Sequence, residues 1–246
     1  MYLSIIIPMY NERSIAASSV RTLADAMEQV NVAGGYEILF SDDGSSDGCA
    51  EIVEKTAREL ALTCGEICVV RSEQNRGKGH AVRLGMQASR GELCVFTDCD
   101  LAYGTEIIRE MASRMSAPDF SADVLIGSRA IAEDGYAGYT FLRKLASKAY
   151  VRLLAVSAGF RYTDSQCGVK MFRGDAARKV FALAEADGWA FDFEALLLAE
   201  KLGYSIAEHP VKVINHRESK IHLIRDSLKM ASDIRKIRRR IDRLSI

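Results

Sequence analysis

Five short apolar runs, separated by stretches of helical periodicity, constrain this chain more than any other feature of it. LSIII (3–7), YEILFSDD (36–43), EICVVR (66–71), ELCVFTD (92–98) and ADVLIGS (122–128) are short, mostly apolar and read as strands. Helical patterns fill 14–30, about 47–62, 78–89 and 104–115 between them. Buried runs alternating with amphipathic helices predict βαβ units and a mostly parallel sheet covered on both faces. Such sheets bind ligands outside the carboxyl ends of their strands. The most polar clusters fall at those ends: YNER after the first run, DDGSSDG after the second, NRGKGH after the third and DCD after the fourth. One edge of the sheet is therefore the expected site.

Beyond residue 128 the rhythm changes. Residues 135–163 hold no Asp or Glu but carry Arg143, Lys144, Lys148, Arg152 and Arg161. Leu142, Leu145, Ala149, Leu153 and Val156 recur there at helical spacing, which predicts a basic amphipathic helix. A further helix is expected over 192–202, and one or two short strands in IAEHPVKVI. From 221 on, Ile224, Leu228, Ala231, Ile234, Ile237, Ile241 and Leu244 form an apolar stripe whose far end is crowded by Arg235, Lys236, Arg238, Arg239, Arg240 and Arg243. The 246 residues suffice for one sizeable core, divided here into a body, 1–220, and a basic amphipathic C-terminal helix, 221–246.

Charge excludes one class of function. Lys plus Arg and Asp plus Glu both number 33, so a nucleic-acid binder working by bulk attraction is not expected. The balance is uneven, however: 221–246 carry eight basic residues against three acidic ones, leaving the body acidic. The tail helix could rest on an anionic membrane surface, make an oligomer contact, or belong to the core. Six cysteines without a C-x-x-C pair, and only four histidines, argue for reduced, mostly buried thiols in a cytosolic chain. The N-terminus lacks a basic start and reads as a strand rather than a signal peptide, and no window approaches the ~18 apolar residues of a membrane span.

Asp98-Cys99-Asp100 closes an apolar strand. Two carboxylates this close repel unless a cation lies between them or one is protonated. Hard oxygen ligands suit Mg²⁺ or Mn²⁺ bridging to a diphosphate, and a loop of two solvated acids is the alternative. Asp42-Asp43-Gly44 ends the second strand, where Asp42 could accept from a base or ribose while Ser45, Ser46 or Asp47 caps the next helix. NRGKGHA is a glycine-flanked turn entering a helix, with Arg76 and Lys78 offered to anions, but it has neither P-loop nor G-x-G-x-x-G spacing. Asp192 and Glu194 open a helix, where carboxylates favour the dipole, or one of them serves as a base for a hydroxyl acceptor.

In order and spacing, SIIIPMYNER, SDDGSSDG, NRGKGHAVRLGM, FTDCD and DSQCGVKMF resemble the family 2 inverting glycosyltransferases, nearest the branch that glucosylates or mannosylates dolichyl and other polyprenyl phosphates. The resemblance spans about 3–220. It implies an α/β, Rossmann-like GT-A fold, a mostly parallel central sheet flanked by helices, with the basic amphipathic helices appended. It implies transfer of a hexose, with inversion, from a nucleotide-diphosphate sugar to a polyprenyl phosphate. Pro8, Tyr10, Glu12, Asp42, Lys78 and Asp98 would bind the nucleotide sugar, and Asp98 and Asp100 would hold Mg²⁺ or Mn²⁺. Arg129, Arg217 and Lys220 would join Asp100 at the reacting groups, with Arg217, Ser219 and Lys220 in the segment that closes over the diphosphate. Arg143 and Ser147 would receive the acceptor phosphate, and Asp164, Gln166 and Asp192 would shape the acceptor side. The mannosyl branch often carries a Gln two residues past the second Asp. Ala102 stands there, and GKGHAVRLGM looks more like the glucosyl branch, so UDP-glucose is favoured over GDP-mannose. The likeness implies a peripheral protein on the cytoplasmic membrane face. A family 2 enzyme acting on a saccharide or soluble hydroxyl, and a non-catalytic nucleotide-sugar binder, are the alternatives.

Overall fold

Strand pairing in the computed structural model, which describes residues 2–30, 32, 34–135, 161–215 and 223–245, follows the expected alternation closely. The elements run β1 (Leu3–Met9), α1 (Arg13–Val30), β2 (Tyr36–Asp42), α2 (Cys49–Glu59), β3 (Gly65–Arg71), α3 (Lys78–Ala88), β4 (Leu93–Phe96), α4 (Glu106–Ser116) and β5 (Val124–Ser128). Then come β6 (Lys170–Arg173), α5 (Gly174–Leu183), α6 (Phe191–Lys201), β7 (Ile206–Pro210) and α7 (Leu223–Asp242). The seven described strands form one sheet in the order β3-β2-β1-β4-β6-β5-β7. Every described pair is parallel except the two that β6 makes, with β4 and with β5. The sheet is thus the mostly parallel one expected.

Local chemistry explains the details. Pro8 lies inside β1, yet costs no ladder bond. Residues of its parity face β4, where Thr97 donates to the Ile6 carbonyl at 3.1 Å, and the β1–β4 pairing stops at Ile6. Two apolar clusters cover the sheet. One joins Ile5, Ile7 and Phe40 to α1, α2 and α4; the other joins Ile6, Phe96 and Phe172 to α3, α5, α6 and α7. This is the layered helix-sheet-helix arrangement that a two-faced apolar sheet requires.

The strand β6 and the helix α5 lay outside the sequence reading. β6 is only four residues long and runs against its neighbours, and α5 follows it directly, burying Ala176, Ala177, Val180 and Phe181. IAEHPVKVI, expected to give one or two strands, supplies one, β7. Over its described side chains, α7 buries Ile234, Ile237 and Ile241 in the same cluster as Leu196 and Phe193 of α6. Arg240 reaches from it to Glu194 at 2.6 Å and to Glu185 at 3.0 Å. The tail's apolar stripe therefore faces the core there, Arg240 is tied to it, and Arg235, Lys236 and Arg239 are exposed. The basic helix expected over 142–156, with Arg143 and Ser147, lies outside the described residues, as do Arg217, Ser219 and Lys220.

Candidate active site

The polar clusters after β1 and β2 are tied to one another. Asn11, in the left-handed region at φ 52°, donates its backbone N–H to the Ser45 hydroxyl oxygen at 2.9 Å and accepts on Oδ1 from the Ser46 N–H at 3.0 Å. Asp47 accepts from the N–H of Arg13, the first residue of α1, at 2.8 Å and from that of Cys49, the first residue of α2, at 3.0 Å. One carboxylate thus satisfies the open amide groups of two helices. Pro8 is buried, Glu12 is half-buried and Tyr10 is exposed at the rim.

Asp42 and Asp43 divide their work. Asp42 Oδ1 accepts from the Ser45 N–H at 3.1 Å and its hydroxyl at 2.5 Å, closing the turn. Asp43 holds the next loop: it accepts from the N–H of Arg76 at 3.1 Å and of Gly77 at 2.6 Å, and pairs with His80 Nδ1 at 2.9 Å. On the other flank the Asp187 carbonyl accepts from the Gly79 N–H at 2.8 Å, and its carboxylate takes the Arg76 and Arg83 guanidinium groups. Gly77 is required here, because its φ is 125° and a Cβ would stand 2.4 Å from the Asp187 carbonyl oxygen. Arg76, offered to anions by its sequence, is instead an anchor.

Lys78 opens α3 between those anchors and turns its ammonium onto Asp98 Oδ1. Burial alone would depress Lys78, but Asp98, Asp192 and Asp100 more than offset it and hold the ammonium above its usual value. Its Nζ also lies 5.6 Å from the ring centre of Trp189, the single tryptophan, which is exposed. Asp100 Oδ1 accepts from the Ala102 N–H at 3.1 Å. Between the two acids, burial pushes the Cys99 thiol up to about 12, with the nearby Glu12 and Asp100 carboxylates adding to the shift, so it is no thiolate.

The antiparallel β6 brings a second group to the same place. Gly168, just before it, approaches Asp98 so closely that a Cβ would lie 2.3 Å from Oδ2. Lys170 is fully buried, donates to Asp192 Oδ1 at 2.5 Å and to the Cys167 carbonyl at 2.7 Å, and sits 5.3 Å from the Phe96 ring centre. Glu194 is buried too: its Oε2 accepts from the N–H groups of Glu185 and Ala186, and its Oε1 takes Arg240. On the far flank Arg129 gives Nε and Nη2 to Asp164 at 2.6 and 2.8 Å, a buried bidentate pair, and Asp164 also accepts from the Gln166 N–H at 3.2 Å. Tyr103, buried beside Asp98 and Arg129, accepts from the Gly168 N–H at 3.2 Å and so links that flank to the paired acids. Asn215 donates from its side chain to the Leu101 carbonyl at 3.1 Å, and Ile214 donates to the Ala102 carbonyl at 2.8 Å. The chain that leads to Arg217 and Lys220 is thereby held against the Asp98–Asp100 loop.

Asp98, Asp100, Lys78 and Asp192 are thus brought together, Arg129 and Asp164 are joined as partners, and Asp42 closes a turn. Asp43, Lys170, Gly168 and Trp189 were not singled out by sequence. The glycine-flanked turn and the doubled Asp were the available signals for Asp43; nothing local marks Lys170. Gly168→Ala tests the close approach. Its Cβ would press on the end of a movable side chain, so transfer should fall by ~100-fold through misplacement of Asp98, with the melting point within ~3 °C of the parent. Equal losses of rate and stability would instead mean that Gly168 serves the fold alone.

Comparison with known proteins agrees with this geometry. Residues 4–181 match the model for "Glycosyl transferase family 2". The chain is similar to proteins named dolichyl-phosphate beta-glucosyltransferase from Dictyostelium discoideum (33% identical, 97% of this chain, 74% of the relative), Saccharomyces cerevisiae (31%, 95% and 73%) and Homo sapiens (28%, 97% and 75%). Among solved structures, glucosyl-3-phosphoglycerate synthase from Mycobacterium tuberculosis, in complex with Mn²⁺, UDP-glucose and glycerol 3-phosphate, superposes with a TM-score of 0.68 at 18% identity over 96% of this chain and 78% of that one. That likeness identifies the architecture as the Rossmann-like GT-A fold. With paired acids at the end of β4 and a family match over most of its length, the chain belongs to glycosyltransferase family 2 and is a glycosyltransferase.

Proposed function

We propose that the enzyme transfers glucose from UDP-glucose to a polyprenyl phosphate. One observation carries the choice of acceptor: neither carboxylate that could serve as a base is free to do so. A hydroxyl acceptor needs its proton removed, but Asp192 is buried against Lys170 and Glu194 is committed to two amides and Arg240. A phosphate acceptor is already an anion near neutral pH and needs no base. The rim supports the same reading. The large apolar residues that stand exposed among the described ones, Tyr10, Ile131, Trp189 and Ile214, all lie on segments at the carboxyl edge of the sheet, where an acceptor with a greasy tail would pass. The relatives named for dolichyl phosphate and glucose support both halves of the reaction.

The acceptor oxygen would attack the anomeric carbon opposite the departing nucleoside diphosphate, inverting its configuration, and positioning would supply much of the rate. Lys78 is placed to meet charge on the leaving diphosphate, and Trp189 offers an apolar face beside it. The donor set fits a hard divalent ion: Asp98 and Asp100 present carboxylate oxygens on one short loop, and the buried Cys99 thiol between them is protonated. Mg²⁺ or Mn²⁺ held by Asp98 and Asp100 would supply further compensation for diphosphate charge. Arg129 remains assigned to the reacting groups, Arg143, Ser147, Asp164, Gln166 and Asp192 to the acceptor side, and Arg217 and Lys220 to the diphosphate.

Among the described residues no helix is long and apolar enough to cross a membrane. Contact with an anionic surface would instead use the exposed Arg235, Lys236 and Arg239 of α7 and Arg243 just after it, by charge rather than by insertion, since the apolar stripe is buried there. The deciding experiment offers UDP-glucose and GDP-mannose, with Mn²⁺, to a polyprenyl phosphate and to a soluble hydroxyl acceptor. Glucosyl-phosphoryl-polyprenol is the expected product. Transfer to the hydroxyl acceptor with none to the lipid would overturn the assignment.

A further inference from the structure

Lys78 stands on the carboxylate that a divalent ion would need. Its ammonium contacts Asp98 Oδ1, in a pair whose side chains are only 21% and 31% exposed. Two cations cannot share that oxygen without strong repulsion at short range in a partly dehydrated site. The neighbouring acids offer no substitute. Asp192 is engaged by Lys170 at 2.5 Å, and Asp100, whose Oδ1 accepts from the Ala102 N–H, is already counted among the ligands. Among the described residues no group of three or more His, Cys, Asp or Glu side chains is placed to hold a metal ion. The protein's own ligands are therefore incomplete, and one of them is already countered.

We propose that Lys78 is an internal counter-ion that withholds Asp98 from the divalent ion until a nucleoside diphosphate arrives. The phosphate oxygens take over the ammonium and at the same time supply the missing ligands, so that metal and nucleotide bind as a coupled pair. The backbone suits this exchange. The amides on either side of Lys78 are pinned, Gly77 to Asp43 at 2.6 Å and Gly79 to the Asp187 carbonyl at 2.8 Å, so only the flexible four-carbon side chain has to swing. Trp189 lies beside it, with its ring centre 5.6 Å from Nζ, and would steady the cation as it leaves the carboxylate. Lys78 is on this account a positioning residue for the ion as well as a contact for the diphosphate. The inference rests on the assignment of Asp98 and Asp100 to the metal.

The test is Mn²⁺ binding followed by electron paramagnetic resonance, with and without UDP, on the full chain and on Lys78→Met and Lys78→Arg. The parent should bind Mn²⁺ weakly alone and at least ~10-fold more tightly with UDP, whereas Lys78→Met should bind Mn²⁺ alone ~10-fold more tightly than the parent and gain less from UDP. Lys78→Arg keeps the charge and should behave like the parent. Lys78→Gln replaces Lys78→Met if the latter does not fold. Should the neutral variant bind Mn²⁺ alone no better than the parent, or should the parent already bind it tightly without UDP, the counter-ion role is wrong while the metal assignment survives. A parent that binds no Mn²⁺ even with UDP removes the metal assignment itself, and the inference with it.

Discussion

Asp100→Asn is expected to lower the transfer rate by at least ~1,000-fold at saturating donor and Mn²⁺, the scale on which a lost electrostatic partner of a leaving group acts. The substitution isolates charge from structure. Asp100 Oδ1 accepts from the Ala102 N–H, and an amide oxygen in the same place preserves that bond. The loop is held independently by Asn215 and Ile214, so its path should persist. A variant that melts with the parent but has lost transfer would tie Asp100 to the chemistry. A rate within tenfold of the parent, measured under the same conditions, would mean that the carboxylate charge is not used.

Lys170→Met carries the largest expected effect on stability. Lys170 is fully buried and its ammonium is matched by Asp192, itself only 8% exposed at the side chain. Removing one partner of such a pair leaves an uncompensated buried charge and costs ~3–5 kcal/mol. For a domain of this size that is a fall of about 10 °C in melting temperature. Methionine fills most of the lysine volume, so little of the loss comes from a cavity. Replacing both partners, Lys170→Met with Asp192→Leu, should recover much of the stability while leaving transfer impaired, because Asp192 also helps hold Lys78. The pH dependence has a definite sign. Burial raises the Asp192 carboxyl above its ordinary 3.8 even with Lys170 and Lys78 beside it. Between that ordinary value and the raised one, the folded state holds the extra proton, so this group's contribution is full below the ordinary value and fades as pH rises through the raised one. Without Lys170 the carboxyl should rise further, so the deficit of the variant should narrow as the pH is lowered. Thermal melts of both proteins across acidic and neutral pH measure it, and a deficit that widens towards acid pH would refute the account.

Much of this architecture was legible without coordinates because its signals are local. A strand buried on both faces needs a short continuous apolar run, and a covering helix needs a period of 3.6, so β1 to β5 and α1 to α4 could be placed to within a few residues. The expectation of a site at one sheet edge came from the polarity of the strand ends, and the structure brings Lys78, Asp98, Asp100 and Asp192 together there. Order among the motifs pointed to the family, and the family model matches it.

What tertiary structure alone decided is how those charges are spent. The insertion of β6 between β4 and β5, against their direction, delivers Gly168 to Asp98 and Lys170 to Asp192 across spans that no periodicity reports. Tertiary structure likewise holds Asp192 on Lys170 and Glu194 on two amides and Arg240, pairs Arg129 with Asp164, gives Asp43 rather than Asp42 the task of holding the α3 entry loop, and sends Ile234, Ile237 and Ile241 of α7 into the core. The physical reason is that periodicity is written between neighbours along the chain, whereas the partner of a buried charge is settled by which distant segments cross and shut out water together.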